Sequence, residues 1–234
     1  MICSLQLLMM CAGLFMATGC QMESGPSIYS DEELKAQREE MLKQYPVPPA
    51  DTPEQIQQKE ATVESTLPQV YELLEEAKTD PTKNKEVVEL SMSLLTLVPG
   101  HRAAKVAYCK ARLSEFFANE GKDHYSALLA INSAVLEIDR LREGFDDLSE
   151  DELQLCQEVY YNQARREGYF PNNEDALDIL KESIGKLMSS GFRDVERLKT
   201  EPKFQPFFND PKIAPVLQSA IEQIESSAAE NSSE

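Results

Sequence analysis

The chain reads as an all-α protein, and three observations carry that reading. Ala, Leu, Glu, Lys and Gln dominate long stretches, and these side chains lose little conformational freedom in a helix. Apolar residues recur at three- and four-residue spacing, whereas Val, Ile and Thr never alternate with polar residues as a half-buried strand requires. The nine glycines and thirteen prolines fall mainly between these stripes, where they read as turns. Hydrophobic residues make up 41% of the 234 positions, enough for a packed core.

Charge narrows the function. Forty-one acidic residues against 23 basic ones give a net charge of −18. Such a surface repels phosphate backbones, which argues against nucleic-acid binding and for solubility or a basic partner.

Residues 1–19 carry no charged side chain, and the first charge is Glu23. Leu5 to Met16 forms an apolar stretch of signal-peptide length, followed by the small residues Ala17, Thr18 and Gly19. The run Ala17-Thr18-Gly19-Cys20 resembles a bacterial lipobox, which implies cleavage before Cys20 and lipidation of that cysteine. Unlike most export signals, it has no Lys or Arg ahead of the apolar stretch. Ordinary signal cleavage and an uncleaved anchor are the alternatives. All three readings place the remainder at the cell envelope or outside the cell.

Residues 20–50 read as a tether. Ser30-x-x-Glu33 is a capping box that opens a short helix to about Gln44, and Pro46, Pro48 and Pro49 impose an extended spacer. The body of the chain, 51–190, then follows as helices. Thr52-Pro53 starts a polar helix to about Ser65, Thr66 is expected to recap it, and Leu67, Val70, Tyr71, Leu74 and Ala77 form an apolar stripe. Asp80-Pro81 turns the chain, Val87 to Val98 forms the next stripe, and Pro99-Gly100 ends it. Helices are expected from Ala103 to Ala118 and, after the Asp123 cap, from His124 to Arg142, with Gly144 as the stop. Ser149-x-x-Glu152 opens another helix to Glu167, Gly168 closes it, Pro171-Asn172-Asn173 turn the chain, and Glu174 to Met188 follows. Helices of this length joined by short turns pack as antiparallel hairpins.

Three stretches resemble the tetratricopeptide unit, a helix–turn–helix of about 34 residues with small and large residues at set offsets. In the last of them Tyr160, Ala164, Ala176, Leu180 and Ser183 fall at those offsets, while Gln163 and Glu167 depart from the pattern. In Pro68–His101, Tyr71, Leu74, Val87 and Pro99 match, while Glu75 and Ser91 do not. Residues 102–143 carry Ala127, Ile131 and Ala134 at the same spacing. Residues 191–222 resemble a module that closes many bacterial arrays of this family: Gly191-Phe192-Arg193-Asp194, Glu201-Pro202 and Asp210-Pro211 mark its turns. Phe192, Leu198, Phe204, Phe207 and Leu217 are the expected plug on the last hairpin's exposed apolar face. After Glu225 the Ser/Ala/Glu-rich tail, 226–234, is expected to be disordered. The resemblance implies an α-solenoid of degenerate tetratricopeptide-like hairpins with a C-terminal capping module.

Catalytic chemistry finds no footing in the sequence. His101 and His124 are the only histidines, and neither has a second ligand at metal-binding spacing. No nucleophile elbow, phosphate-binding Gly-rich loop or His-Glu-x-x-His motif occurs. The acidic run Asp146, Asp147, Glu150, Asp151, Glu152 lacks the ligand alternation of a calcium loop and suits a helix N-terminus. With Cys3 and Cys11 in the signal and Cys20 at the lipobox, Cys109 and Cys156 remain. Export permits a disulfide between them, but their apolar neighbours favour two buried thiols. The expected function is a non-enzymatic protein–protein interaction scaffold with no cofactor and no metal. Its expected groove residues are the first-helix polar positions that break the repeat pattern: Glu75, Lys105, Arg112, Gln163 and Glu167. The alternative, from resemblance to outer-membrane assembly lipoproteins, is a component of an envelope protein-assembly machinery.

Overall fold

The computed structural model describes residues 50–170 and 173–231, together with Glu32, Lys35, Ala36 and Glu40. The signal, Cys20, the tether helix with its proline spacer, Pro171 and Asn172 lie outside the described residues. The chain divides into two units, residues 1–51 and 52–234, and everything that follows concerns the second. Among the described residues there are eight α-helices, two 3₁₀ turns and no strand, so the protein is all-α.

Side-chain caps set the helix starts. Thr52 and Gln55 form a reciprocal capping box ahead of α1 (Pro53–Ala77), satisfying two backbone N–H groups that the helix start leaves without partners. The expected break at Thr66 is absent. Its hydroxyl donates back to the Thr62 carbonyl at 2.8 Å, and α1 continues through Pro68. An interior proline costs about 3 kcal/mol in a helix. Here it is exposed, and Val63, Leu67, Val70, Leu74 and Ala77 bury one continuous face that spans it. That shared face outweighs the lost hydrogen bond.

Asp80 caps a 3₁₀ turn, Pro81–Lys83, that leads into α2 (Asn84–Leu97). His101 caps α3 (Arg102–Asn119), accepting from the Ala104 N–H through Nδ1. Gly121, at φ 74°, takes the left-handed conformation that lets the chain reverse. Asp123 then caps α4 (His124–Gly144). The helix ends at Gly144, and the Phe145 N–H caps it on the Leu141 carbonyl. The Ser149/Glu152 capping box forms as expected on α5 (Glu150–Glu167), and Asn173 caps α6 (Glu174–Ser189). Asp194 caps the short α7 (Val195–Thr200). A second 3₁₀ turn, Gln205–Asn209, and α8 (Ala214–Asn231) complete the described residues. The tail therefore stays helical past Glu225, with the Ser226 hydroxyl bonded back to the Glu222 and Gln223 carbonyls.

Side-chain pairs give the helix directions. Lys105 meets Glu137 and Cys109 meets the Ala134 carbonyl, so α3 and α4 are antiparallel. Gln163 meets Ser183 and Gln157 meets the Ser190 carbonyl, so α5 runs against α6. Alternate helices are parallel. Glu64 and Tyr71 of α1 meet His101 and Lys110 of α3, while Arg102 and Phe116 of α3 meet Glu152 and Arg165 of α5.

Two apolar cores result, and α3 belongs to both. Ala104, Ala107 and Ala111 join the core of α1 and α2. Val106, Cys109 and Phe116 join the larger core built from α4, α5, α6 and the C-terminal segment. Cys109 and Cys156 are free thiols buried in that larger core, and burial pushes the Cys156 thiol up to about 11.

All five expected plug residues are buried. Phe192 stacks on Tyr161 of α5, with ring centres 6.1 Å apart, and Phe204 meets the same ring edge-on at 5.7 Å. The Tyr161 hydroxyl donates to Glu201 at 2.9 Å, and Arg197 lies over the ring while pairing with Glu158. At the end of α5, a Cβ on Gly168 would fall 2.6 Å from the Lys203 carbonyl oxygen. No side chain fits there. Gly168→Ala is therefore expected to lower stability by about 1–3 kcal/mol, the usual cost of overpacking. Urea denaturation checks this, and an unchanged midpoint would show that the contact is loose.

Candidate functional site

The helices that run parallel, α1, α3 and α5, carry the candidate site, which is built around Tyr71, Lys110 and Phe117. Tyr71 of α1 is 36% exposed, and Phe117 of α3 is 48% exposed. Phe116 and Phe117 are adjacent on a helix that turns about 100° per residue. Phe116 therefore enters the core while Phe117 faces out. Lys110, one face-repeat before Phe117, is exposed and makes no ion pair among the described residues; its Nζ lies 5.5 Å from the centre of the Tyr71 ring. A cation over an aromatic face is a weak, open contact, available for exchange with a partner. Partial burial and the Glu152 carboxylate push the Tyr71 phenol up, so it stays protonated and can donate.

The α3 end of this face is held by Arg102. Its Nε and Nη2 donate to the two Glu152 carboxylate oxygens at 2.7 and 2.6 Å. Nη1 reaches Asp147 Oδ1 at 2.9 Å, and Nη2 also reaches the Asp147 carbonyl at 2.7 Å. The guanidinium lies 5.0 Å from the centre of the Phe145 ring. A fork of this kind matches a carboxylate with both geometry and charge. Arg102 holds the Glu152 carboxyl down to about 2, helped by the Ser149 N–H of the capping box. Two members of the acidic run are thus consumed in joining α3 to the start of α5. Near the far end of the face, Arg165 of α5 pairs with Glu120 and lies over both Phe116 and Phe117.

The expected groove residues do not assemble into this face. Glu75 is exposed and bonded to Lys78 at the end of its own helix. Lys105 is buried against Glu137 of α4 at 3.1 Å. Arg112 is half-buried between the Tyr108 hydroxyl and Glu115 of its own helix. Gln163 accepts from the Ser183 hydroxyl of α6 at 2.8 Å. Glu167 is 2% exposed and paired with Arg166, and burial pushes its carboxyl up. Positions that depart from the repeat pattern thus serve mostly as polar contacts within hairpins. Tyr71, Lys110 and Phe117 were missed because Tyr71 reads as a core residue and Lys110 as ordinary solvated charge. The adjacent aromatic pair was the available signal.

Among the described residues no group of His, Cys, Asp and Glu is arranged to hold a metal ion. His101 is engaged as a helix cap and bonds Glu64 at 2.9 Å, while His124 packs edge-on against Tyr169 and Phe170. No helix among the described residues is long and apolar enough to cross a membrane. No family model, no curated protein and no solved structure matches the chain.

The Arg102 fork has a pH signature. Glu152 titrates lower in the folded chain than its ordinary 4.5, so its stabilisation is full above that value and is lost as pH falls from about 4.5 towards 2. Arg102→Ala is expected to be less stable than the parent at pH 7, with the gap narrowing across that window. Thermal melts at stepped pH measure it, and a gap independent of pH would assign the loss to the Phe145 contact.

Proposed function

We propose that this chain is a non-catalytic protein-interaction scaffold of tetratricopeptide type, lipid-anchored at the cell envelope through Cys20, which holds its partner on the α1, α3 and α5 face. The observation that carries the reading is the alternation of directions. Helices α3 and α4, and α5 and α6, run antiparallel while α1, α3 and α5 run parallel, which supports a stacked array of hairpins whose first helices share one side. On that side Tyr71, Lys110 and Phe117 stand exposed or in weak contacts, while Arg102 and Arg165 are committed to carboxylates. Exposed aromatic side chains are the usual anchors of a protein interface. The net charge of −18 favours a partner of basic character.

Two measurements test the two halves of this proposal. Crosslinking from envelope preparations is expected to capture a protein partner with the parent chain and to lose it, by about tenfold, with Tyr71→Ala combined with Lys110→Glu and Phe117→Ser. The circular dichroism of the variant is expected to stay that of the parent, because none of the three side chains is buried in a core. Equal capture by parent and variant would contradict the binding face. Mass spectrometry of the mature N-terminus is expected to find an acylated Cys20, and an intact Met1 would contradict the anchor.

A further inference from the structure

Seven large apolar side chains stand exposed among the described residues, and three of them, Tyr125, Leu129 and Leu136, lie on α4 at 70%, 48% and 47% exposure. A single exposed leucine is ordinary, but these three are aligned. With Asn132, also exposed, they recur at spacings of four, three and four. At about 100° per residue that keeps them within a stripe roughly 60° wide. The other side of α4 carries Ile131, Ala134 and Ile138 into the larger core. A helix apolar on two sides is normally covered on both.

The stripe also names what covers it. Spacings of four, three and four are those of the core positions in a left-handed helix pair, so the stripe fits another helix with the same repeat. From Tyr125 to Leu136 the chain has no Asp, Glu, Lys, Arg or His. In a chain of net charge −18, that window lets a second copy approach without the repulsion the rest of the surface imposes. Ser126 and Ser133 border the stripe, with their hydroxyls already bonded to Asp123 at 2.6 Å and to the Leu129 carbonyl at 2.7 Å, so covering them strands no donor. The Asn132 amide makes no side-chain hydrogen bond among the described residues. It carries both donors and an acceptor, so the same amide on a second copy satisfies it, and one polar residue in such a seam fixes its register. Lys122 and Glu143 flank the two ends, exposed and without an ion pair among the described residues. An antiparallel pair sets each beside the other, whereas a parallel pair sets like on like.

We infer that α4 pairs with α4 of a second copy of this chain, antiparallel about a two-fold axis between Leu129 and Asn132. Tyr125 then faces Leu136 across the pair, Leu129 faces Asn132, and the two Asn132 residues lie about 4.5 Å apart along the axis. A two-fold contact of this kind uses the same patch on both copies. Four seam positions are few beside the about 1,200 Å² of a stable interface, so the dimer is weak and concentration-dependent. The seam is separate from Tyr71, Lys110 and Phe117 and does not depend on them.

Sedimentation velocity of the full chain from about 1 to 300 μM is expected to show a monomer–dimer equilibrium. Leu129→Glu combined with Leu136→Glu is expected to weaken it by about tenfold or more, with parent-like circular dichroism because both side chains are exposed. Asn132→Lys and Asn132→Asp are each expected to weaken it about tenfold, since each sets a charge near itself, and their equimolar mixture is expected to restore it as a heterodimer. Lys122→Glu is expected to weaken it several-fold at low salt, and Glu143→Lys in the same chain to recover it. A parent that stays monomeric, a dimer that survives the paired leucine change, or a mixture no better than its components would overturn the proposal. So would a Lys122→Glu loss that Glu143→Lys leaves in place. Binding of phosphatidylcholine vesicles that the paired leucine change abolishes would overturn it too, because the stripe would then belong to a lipid surface.

Discussion

Helix α3 has to serve two cores at once, and its alanines make that feasible. Ala104, Ala107 and Ala111 recur at i, i+3 and i+7, a single helical face, and are fully buried against α1 and α2. Without a longer side chain on that face, α3 approaches its neighbours closely. The opposite side carries Val106, Cys109 and Phe116 into the larger core. A helix with only one apolar stripe would leave the first two helices only each other to bury against, and burial of an amphipathic face is what stabilises most helices in proteins.

Polar groups fix the orientation that the apolar faces leave open. Lys105 and Glu137 form a buried pair between α3 and α4, with Arg140 on the second Glu137 oxygen. Removing one partner of such a pair typically costs about 3–5 kcal/mol, because the other charge is left buried. The Arg102 fork fixes α3 against the start of α5. The Asp139–Lys186 pair and the Arg142 contacts to Ser189 tie α4 to α6. Each hairpin is thus registered on the next by charge-assisted contacts, which leaves apolar burial to supply the bulk of the stability. At the C-terminal end, aromatic rings take over that role. Tyr161 holds Phe192 and Phe204, and Gly168 gives the Lys203 backbone the space it needs.

Much of this was legible in the sequence because it is local. The capping box at Ser149 and the Asp123 cap need only neighbours within three residues, and the plug residues Phe192, Phe204 and Phe207 stand out as aromatics among turn signals. The failures are equally physical. Thr66 reads as a cap, yet a threonine hydroxyl can also bond the carbonyl one turn back. Burial of Val63 together with Leu67 decides between the two, and burial is a tertiary fact. The groove residues turn on a different distinction. A polar departure from a repeat pattern is either a contact for a partner or a contact inside the hairpin, and the distinction rests on which helix faces it. Gln163 and Lys105 met Ser183 and Glu137, positions 20 and 32 residues away.

Native-state hydrogen exchange of Ala107→Leu tests most directly whether α3 joins two separable cores. Overpacking this face by about 1–3 kcal/mol should speed exchange of α1 and α2 amides by roughly five- to 150-fold. Amides of α5 and α6 should keep the rates of the parent chain. Uniform acceleration along the whole chain, or none at all, would contradict the account.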